Sequence, residues 1–327
     1  MPAITSGKVL VTGANGYIAV WIVKSLLEAN FAVRGTVRSE SKAAYLRSYF
    51  KSSGDKFEVV VVPDMTKARF LRITICRRSL LTHFWLCFQD DAFAEHVKDV
   101  DAIAHTASPF HMNTIEPEEI VGPAVAGTLS VLKAAEAHGT RVQRVVVLSS
   151  TAALFRISPE PVVLDESAWN EQAIAEIKEK GRDATAISKY RASKTLAERA
   201  AWEWWEQRKA ALGFDLAVLN PPYVFGPNIH DVDKPENLGE SMRDWYKNVV
   251  TGGLSDDALA KNGYVIFPLP PAGWPCLTHG VSMNRAVYVD VRDIAQAHTL
   301  AIQTPAAGGK RFIISSGPFK WQDFGEQ

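Results

Sequence analysis

One stretch near the amino terminus constrains the fold more than any other part of the chain. In "KVLVTGANGYIAVWIVKSLLEANFAVRGTV" an apolar strand (Lys8 to Thr12) leads through a glycine turn into an apolar helix (about Tyr17 to Glu28) and a second strand (Phe31 to Val37). A strand, a helix and a strand within about 30 residues form a βαβ unit, whose two strands lie parallel. The stretch therefore predicts the start of a parallel sheet.

The same alternation continues along the chain. A helix near Ser39 to Lys51 is followed by three more strands, in "KFEVVVV", "DAIAHTA" and "RVVVLSS", and a long helix ends near "KAAEAHG". After Ser150 the alternation of strands and helices is less regular. It resumes with a helix that carries "YRASKTLAERAAWEWWEQRKAA" and a strand in "FDLAVLN". The pattern predicts an α/β fold, a doubly wound parallel sheet of the Rossmann type.

The alternation breaks at "PPYVFGP", and the chain from there to about Arg285 is rich in Gly, Pro and aromatic residues. We therefore predict a dinucleotide-binding Rossmann domain over residues 1–220 and mostly a smaller substrate-binding lobe over residues 221–327. The chain is expected to return to the Rossmann domain near residues 286–316. The proline-rich part could instead be a mobile loop.

Composition excludes some classes of partner. Lysine plus arginine and aspartate plus glutamate number 36 each, so no net field favours nucleic acid or an anionic membrane, and we expect neither partner. The three cysteines, Cys76, Cys87 and Cys276, lack metal-ligand spacing, so we expect no metal site and a reducing compartment, by default the cytoplasm. The amino terminus lacks the features of a signal peptide.

The glycine turn has the residues that a dinucleotide site needs. In "TGANGYIA", Gly13 permits a tight turn, Gly16 allows a pyrophosphate to approach the backbone, and Ala19 lets the helix pack closely on the strand. The spacing G-x-x-G-x-x-A departs from the commoner G-x-G-x-x-G. A plain strand-to-helix turn is the alternative, but the position between a strand and a helix favours dinucleotide binding.

The end of the second strand indicates which dinucleotide binds. An NAD site usually has a carboxylate there for the ribose 2′-hydroxyl, whereas "RGTVRSESK" offers Arg38, with Arg34 and Lys42 nearby. Cations can pair with a 2′-phosphate, so the sequence favours NADPH (or NADP+). Because Glu40 is close, a solvated basic loop is the alternative.

A turn after the third strand is the next candidate contact. "PDMT" places Asp64 and Met65 where an adenine ring could lie, with Met65 as an apolar contact. An ordinary strand-end turn explains the residues equally well.

The stretch "YRASK" carries the candidate chemistry. Tyr190 and Lys194 are four residues apart, so on a helix they share a face, although this spacing alone proves little. A neighbouring ammonium favours tyrosinate and lowers the phenol pKa from about 10, which makes tyrosine a better general acid. Ser150, at the carboxyl end of the fifth strand, could hydrogen-bond the same substrate oxygen. Together these residues predict a catalytic group.

Eight segments together resemble a known superfamily: "VTGANGYIA", "GTVRS", "HTASPF", "LSSTAA", "DESAWN", "YRASK", "LNPPYVFGP" and "YVDVRDIAQAH". They are similar to the extended short-chain dehydrogenase/reductases. Within that superfamily they resemble the fungal NADPH-dependent aldehyde and ketone reductases, relatives of dihydroflavonol reductase and cinnamoyl-CoA reductase. The resemblance covers nearly the whole chain except one segment.

The resemblance implies a role for each matching residue. Ser150 would orient the substrate carbonyl, Tyr190 would donate the proton, and Lys194 would lower the tyrosine pKa and hold the nicotinamide ribose. Further expected cofactor contacts are Thr12, Gly13, Asn15, Gly16, Tyr17, Ile18, Thr106, Ala107, Ser108, Tyr190, Pro221 and Val224. Phe110, Phe155 and Tyr223 are candidates for the substrate pocket, although each could equally be a core aromatic.

Residues 68–89, "ARFLRITICRRSLLTHFWLCFQ", have no counterpart in the family pattern. The segment is too basic for a membrane span, and its apolar residues follow neither a helical nor a strand period. We expect a translated intron, because Leu81-Thr82 and Phe88-Gln89 can be encoded by branch-point and acceptor signals; a surface loop or a membrane-touching hairpin are the alternatives. The chain also stops at "FKWQDFGEQ", where the family continues, so we expect a truncated gene model or a shortened clone.

The expected function is the NADPH-dependent reduction of a small-molecule aldehyde or ketone. We expect the protein to be a monomer or a homodimer. An NAD-dependent sugar-nucleotide epimerase or dehydratase shares the serine, tyrosine and lysine and is the nearest rival. Arg38 and the aromatic segments "HTASPF" and "PPYVF" favour the reductase. An inactive, mis-spliced family member is the third possibility.

Overall fold

The computed structural model describes residues 4–66, 92–108, 114–158, 162–251, 286–319 and 321–324. The anomalous segment 68–89, Phe110 and the three cysteines lie outside these ranges.

Ten strands in the described residues form two sheets. In chain order they are β1 (Lys8–Thr12), β2 (Ala32–Val37), β3 (Phe57–Val61), β4 (Ala102–His105), β5 (Arg144–Leu148), β6 (Asp215–Asn220), β7 (Tyr223–Phe225), β8 (Ala286–Asp290), β9 (Lys310–Ile313) and β10 (Gly317–Phe319). The large sheet has seven parallel strands in the order β3-β2-β1-β4-β5-β6-β9. The order reverses beside β1, and such a switch point is where open α/β sheets bind ligands.

Seven helices accompany the strands in the described ranges. They are α1 (Tyr17–Glu28), α2 (Glu40–Tyr49), α3 (Glu118–His138), α4 (Glu171–Lys180), α5 (Ala186–Arg208), α6 (Glu240–Trp245) and α7 (Val291–Gln303). The pairs α1 with α7 and α3 with α5 pack together on opposite faces of the large sheet.

Alternation along the strands explains the two covered faces. In β1, Val9 and Val11 belong to the core under α1 and α7, whereas Leu10 belongs to the core under α3 and α5. Side chains of successive strand residues point to opposite faces, so an unbroken apolar run is buried on both sides. The predicted doubly wound parallel sheet is therefore confirmed.

One helix of the part of the chain that the structure describes, α3, is long and apolar enough to cross a membrane by length and composition, and 50% of that stretch is buried. In the fold it lies against α5 over the sheet. Its apolar composition is accounted for by this packing.

Most predicted element bounds agree with the structure. β1 and α1 span the predicted residues, and β2 starts one residue later than predicted, at Ala32. The helix predicted to reach Lys51 ends at Tyr49, and a 3-10 helix over Lys51–Lys56 continues it into β3.

The small sheet has the order β10-β8-β7 and lies beyond the carboxyl end of β6. Its aromatic side chains pack on one another; Phe225, Phe319 and Trp321 form the buried centre of this cluster. After β8 the chain returns to the large sheet, where α7 packs on α1 and β9 pairs with β6. The domain boundaries themselves remain a prediction.

Candidate active site

The glycine turn holds the chain in a shape that other residues do not readily adopt. Gly13 has a φ of 65°, and a Cβ placed there would lie 3.0 Å from the Cβ of Ala107. Both the left-handed backbone and the close approach favour glycine. The Gly13 N–H donates to Thr36 Oγ1 at 3.2 Å, so the turn is also tied to β2.

Thr12 joins the ends of β1 and β4. Its Oγ1 lies 2.9 Å from His105 Nδ1 and accepts from the N–H groups of Thr106 and Ala107, at 3.1 Å each. Three predicted cofactor residues, Thr12, Thr106 and Ala107, are therefore brought together at the switch point. Ser108 follows them directly and is half-buried.

A cavity of about 580 Å³ opens at this turn. It is lined by Asn15, Gly16, Tyr17, Lys42, His230, Asp231, Asp233, Asn237 and Gly239. Gly16 is the N-cap of α1 and no side chain caps the helix. The N–H groups of the first turn, including those of Tyr17 and Ile18, have no partner inside the helix and attract anions. The tight turn and the uncapped helix start fit a pyrophosphate.

The predicted 2′-phosphate cations have different partners. Arg38 is exposed just after β2 and forms no hydrogen bond or ion pair with any residue in the described ranges. Lys42 Nζ lies 3.1 Å from Asp231 Oδ2, across the cavity mouth. Arg34 is instead directed along the sheet, where its Nε donates to Glu58 at 2.8 Å. Of the three cations, Lys42 lines the cavity, and Arg38 has no side-chain partner among the described residues.

Glu40, the carboxylate that argued against NADPH, is paired with Arg47 in the same helix. This pair lowers the pKa of Glu40 through its hydrogen bond to Arg47. Its charge is therefore compensated within α2.

The turn after β3 has a local explanation. Asp64 Oδ1 accepts from the N–H of Thr66 at 2.9 Å and from its hydroxyl at 2.6 Å. Met65 packs on α3, where a Cβ at Gly127 would lie 3.0 Å from Met65 Cε. The structure thus shows a structural role for both residues, and their predicted adenine contact stays a prediction.

The catalytic candidates meet at the carboxyl edge of the sheet. Ser150 follows β5, and its Oγ accepts from the Ala152 N–H at 3.1 Å. The Ser150 and Tyr190 hydroxyls are hydrogen-bonded to each other. Lys194 Nζ lies 6.0 Å from the centre of the Tyr190 ring, on the same face of α5. The end of β5 and one face of α5 therefore bring the three predicted residues together.

The electrostatics of the group correct one prediction. Burial raises the pKa of Tyr190, against smaller opposing effects of the Ser150 hydrogen bond and the Arg191 charge. The sequence had predicted a lowered phenol pKa. Burial also lowers the pKa of Lys194 to about 8, although the negative charge of Glu198 opposes the shift. The reason is desolvation, which disfavours the charged form of both groups.

His105 adds a neutral imidazole beneath the group. Burial, with a smaller effect of the Lys194 charge, lowers its pKa to about 3. His105 therefore stays uncharged at neutral pH, and its link to Thr12 is a hydrogen bond between neutral groups.

Pro221 and Val224, after β6, are predicted cofactor contacts, and only Pro221 contacts the catalytic candidates. The Pro221 carbonyl accepts from the Thr151 N–H at 3.0 Å and from Ser150 Oγ at 3.5 Å. Val224 is buried in β7 and belongs to the core. Its predicted nicotinamide contact is untested.

The candidate substrate residues lie beside the catalytic helix and in the aromatic cluster. The Phe155 ring centre lies 4.7 Å from Arg191 Cζ. Tyr223 packs on Phe225 and Phe319, and its hydroxyl donates to Asp244 at 3.5 Å. Burial raises the pKa of Tyr223 to about 12.

A buried carboxylate under the group was missed by the sequence analysis. Glu198 Oε2 accepts from Ser149 Oγ at 2.6 Å and from Asn220 Nδ2 at 2.8 Å, and its Oε1 accepts from Arg311 Nε at 2.6 Å. Asn220 Nδ2 also donates to the Ser150 carbonyl at 3.1 Å. The available signal was helical spacing, because Glu198 follows Lys194 by four residues.

Comparison with known proteins agrees with this arrangement. The family model described as "NAD dependent epimerase/dehydratase family" matches residues 9–315. The NADPH-dependent methylglyoxal reductase GRE2 of Saccharomyces cerevisiae is 32% identical over 320 residues, which cover 96% of this chain and 80% of that protein. Ketoreductase azaE of Aspergillus niger is 32% identical over 322 residues, covering 95% and 78%.

Solved structures show the same similarity. The yeast methylglyoxal/isovaleraldehyde reductase Gre2 complexed with NADPH superimposes with a TM-score of 0.71 and 31% identity, over 97% of this chain and 80% of that one. Vestitone reductase from alfalfa gives a TM-score of 0.65 with 25% identity, over 97% and 79%. The resemblance found in the sequence motifs is thereby confirmed. The chain belongs to the NAD-dependent epimerase/dehydratase family, the extended short-chain dehydrogenase/reductases.

Proposed function

We propose that the protein uses NADPH to reduce an aldehyde or ketone to an alcohol. The observation that carries this proposal is the hydrogen bond between Ser150 and Tyr190 with Lys194 beside it. This group lies at the same carboxyl edge of the sheet as the uncapped start of α1. The relatives are named as NADPH-dependent or ketone reductases, which supports the same reaction.

The cofactor would be held by residues whose geometry suits its charges. The start of α1, with Gly13 and Gly16, would bind the pyrophosphate through backbone N–H groups. Arg38 and Lys42 would bind the 2′-phosphate through charge-assisted hydrogen bonds. When bound, NADPH supplies the hydride that reduces the carbonyl carbon.

The catalytic roles follow from the donors at the site. The Ser150 hydroxyl donates to the substrate carbonyl oxygen and orients it. Tyr190, whose raised pKa keeps the phenol protonated at neutral pH, donates its proton to that oxygen as negative charge develops. The Lys194 ammonium stabilises the tyrosinate that remains, because an opposite charge nearby favours the ionised phenol.

A sugar-nucleotide epimerase or dehydratase remains the second candidate, because the family model carries that name. The reductase is favoured by the exposed cation Arg38 after β2 and by the aromatic residues Phe155 and Tyr223 near the catalytic helix. An epimerase would also be expected to show no net consumption of NADPH.

The test is the loss of NADPH absorbance with a panel of aldehydes and ketones, on the full chain and on a variant lacking Ala68 to Gln89. Activity in both would establish the reductase and make the segment a tolerated loop. Activity only in the deletion variant would mark the full chain as a mis-spliced product. The reductase proposal fails if both variants bind NADPH and neither oxidises it with any carbonyl compound.

We also propose a cytosolic location and a monomer or homodimer. The balanced charge of the chain and its few cysteines support the cytosolic location. Light scattering of the purified chain and imaging of a tagged copy would test these two points.

A further inference from the structure

An arginine lies next to the catalytic tyrosine. Arg191 follows Tyr190 on α5, and its Cζ lies 4.7 Å from the centre of the Phe155 ring. Its charge also acts on the phenols of Tyr190 and Tyr223. Burial lowers the pKa of Arg191, so its guanidinium is partly removed from water at the reacting edge.

The pairing of Arg191 differs from that of the other arginines. Buried Arg144 and Arg311 hold Asp215 and Glu198, each at 2.6 Å. Across the described ranges, every other arginine either pairs with a carboxylate or, like Arg38 and Arg156, is exposed. Arg191 is half-buried, and its guanidinium forms no hydrogen bond or ion pair with any residue in the described ranges. Its backbone carbonyl accepts from Thr195 Oγ1 at 2.8 Å.

Glu176 is the carboxylate whose charge acts on Arg191, and Asp244 binds Tyr223, whose phenol Arg191 also affects. Both carboxylates have other hydrogen-bond donors. Glu176 on α4 accepts from Ser188 Oγ at 2.7 Å and from the Thr185 N–H at 3.1 Å. Asp244 on α6 accepts from the Tyr223 hydroxyl. A guanidinium that loses water without gaining an anion is costly, and such groups concentrate where a ligand completes them.

We propose that Arg191 binds a carboxylate of the substrate, so that the carbonyl compounds this enzyme prefers are short oxo acids. The inference rests on the reductase function proposed above. A guanidinium matches a carboxylate with two parallel hydrogen bonds, and Phe155 covers its face while leaving its N–H edge available. Because the charge of Arg191 acts on the Tyr190 phenol, a carboxylate bound by Arg191 would lie near the reacting carbonyl, which favours short oxo acids.

The test compares acids with their neutral esters: pyruvate with methyl pyruvate, and acetoacetate with methyl acetoacetate. For the wild type, kcat/KM is expected to be about tenfold or more higher for the acid, the range of a charge-assisted contact. Arg191→Met, which keeps apolar contact with Phe155, is expected to lower the acid-to-ester ratio about tenfold, chiefly through KM. Arg191→Lys should retain part of the preference.

Arg208→Met is the matched control, because Arg208 lies on the same helix near its far end. Its acid-to-ester ratio should equal that of the wild type. The proposal is wrong if the wild type prefers the esters, or if Arg191→Met lowers kcat/KM for acids and esters equally. An equal loss with a shifted pH profile would mean that Arg191 acts only on the pKa of Tyr190.

Binding separates this proposal from the reductase function. In a Tyr190→Phe background loaded with NADPH, calorimetry with acetoacetate should show about tenfold weaker binding when Arg191→Met is added. Unchanged binding overturns the role of Arg191. A wild type that binds the acid through Arg191 but oxidises no NADPH would instead overturn the reductase function.

Discussion

The Tyr190 phenol is hydrogen-bonded to Ser150, while the Lys194 ammonium lies 6.0 Å from the centre of the same ring. The hydroxyls come from a strand end and a helix face, so the large sheet sets their separation. Variants of Tyr190 and Lys194 test this arrangement directly.

Tyr190→Phe removes the proposed proton donor and keeps the ring. Turnover should fall roughly 10²- to 10⁴-fold, the usual contribution of general acid catalysis, while NADPH binding changes little. Steady-state rates and cofactor fluorescence measure the two effects. Tyr49→Phe, at an exposed tyrosine on α2, is the control. Substantial turnover in Tyr190→Phe would show that another group donates the proton.

Lys194 should lower the free energy of unfolding at neutral pH. Its pKa is about 8 in the folded protein against 10.5 for the free side chain. The unfolded chain therefore binds more protons between these values, and stability rises with pH across that window. Below about pH 8 the cost of burying the ammonium is fully present.

Lys194→Met should thus abolish turnover yet raise the free energy of unfolding near neutral pH by ~1–2 kcal/mol, with the gain vanishing above the unfolded pKa. Urea unfolding at neutral and at alkaline pH would measure this. Lys24→Met, at a partly exposed lysine on α1 that pairs with Glu28, should show no such gain. A less stable Lys194→Met at neutral pH would contradict the prediction.

Lys42 Nζ lies 3.1 Å from Asp231 Oδ2, so Asp231 would compete with the 2′-phosphate if Lys42 binds it as proposed. Asp231→Asn should therefore tighten NADPH binding about two- to fivefold, an exposed-pair effect that salt weakens. NADH, which lacks the 2′-phosphate, should gain less.

Asp233→Asn removes a charge from the same cavity but leaves the Lys42–Asp231 pair intact, because Asp233 is hydrogen-bonded to Asn237 and acts on Lys42 only through its charge. It therefore separates a general loss of negative charge from the release of Lys42. Titration of cofactor fluorescence at low and high salt provides the measurement. Equal gains for NADPH and NADH in Asp231→Asn would rule out competition for the 2′-phosphate site.

The Glu198–Arg311 pair is buried, and both groups also bind other residues. Arg311→Met would leave the Glu198 carboxylate without its cation, and removing one partner of a buried pair costs about 3–5 kcal/mol. Adding Glu198→Gln should recover part of this loss, because the stranded charge disappears. A double variant whose loss equals the sum of the single losses would show that the two residues are not coupled.

His298 on α7 should make the fold sensitive to acid. Burial lowers its pKa to about 4 from 6.5, and its Nε2 has no hydrogen-bond partner among the residues that the structure describes. The unfolded chain binds more protons between these values, so stability falls as the pH drops from 6.5 towards 4. His298→Leu should flatten this fall in thermal melts, and an unchanged pH dependence would contradict it.

Local sequence was enough to predict a doubly wound parallel sheet and to bring together the candidate catalytic residues. The bounds of β1 and α1 follow from apolar period and a glycine turn, both of which are short-range properties. The spacing of Tyr190 and Lys194 implies one helix face for the same reason. Ser150 could be placed because parallel strands end at one edge.

Only the tertiary structure decided the pKa values and the ion pairs of the site residues. The raised pKa of Tyr190 and the lowered pKa of Lys194 depend on which atoms exclude water from them. The pairing of Lys42 with Asp231 and the position of Arg191 over the Phe155 ring depend on elements far apart in the chain. Desolvation and long-range ion pairs arise only once the chain is folded, so helical and strand periods cannot reveal them.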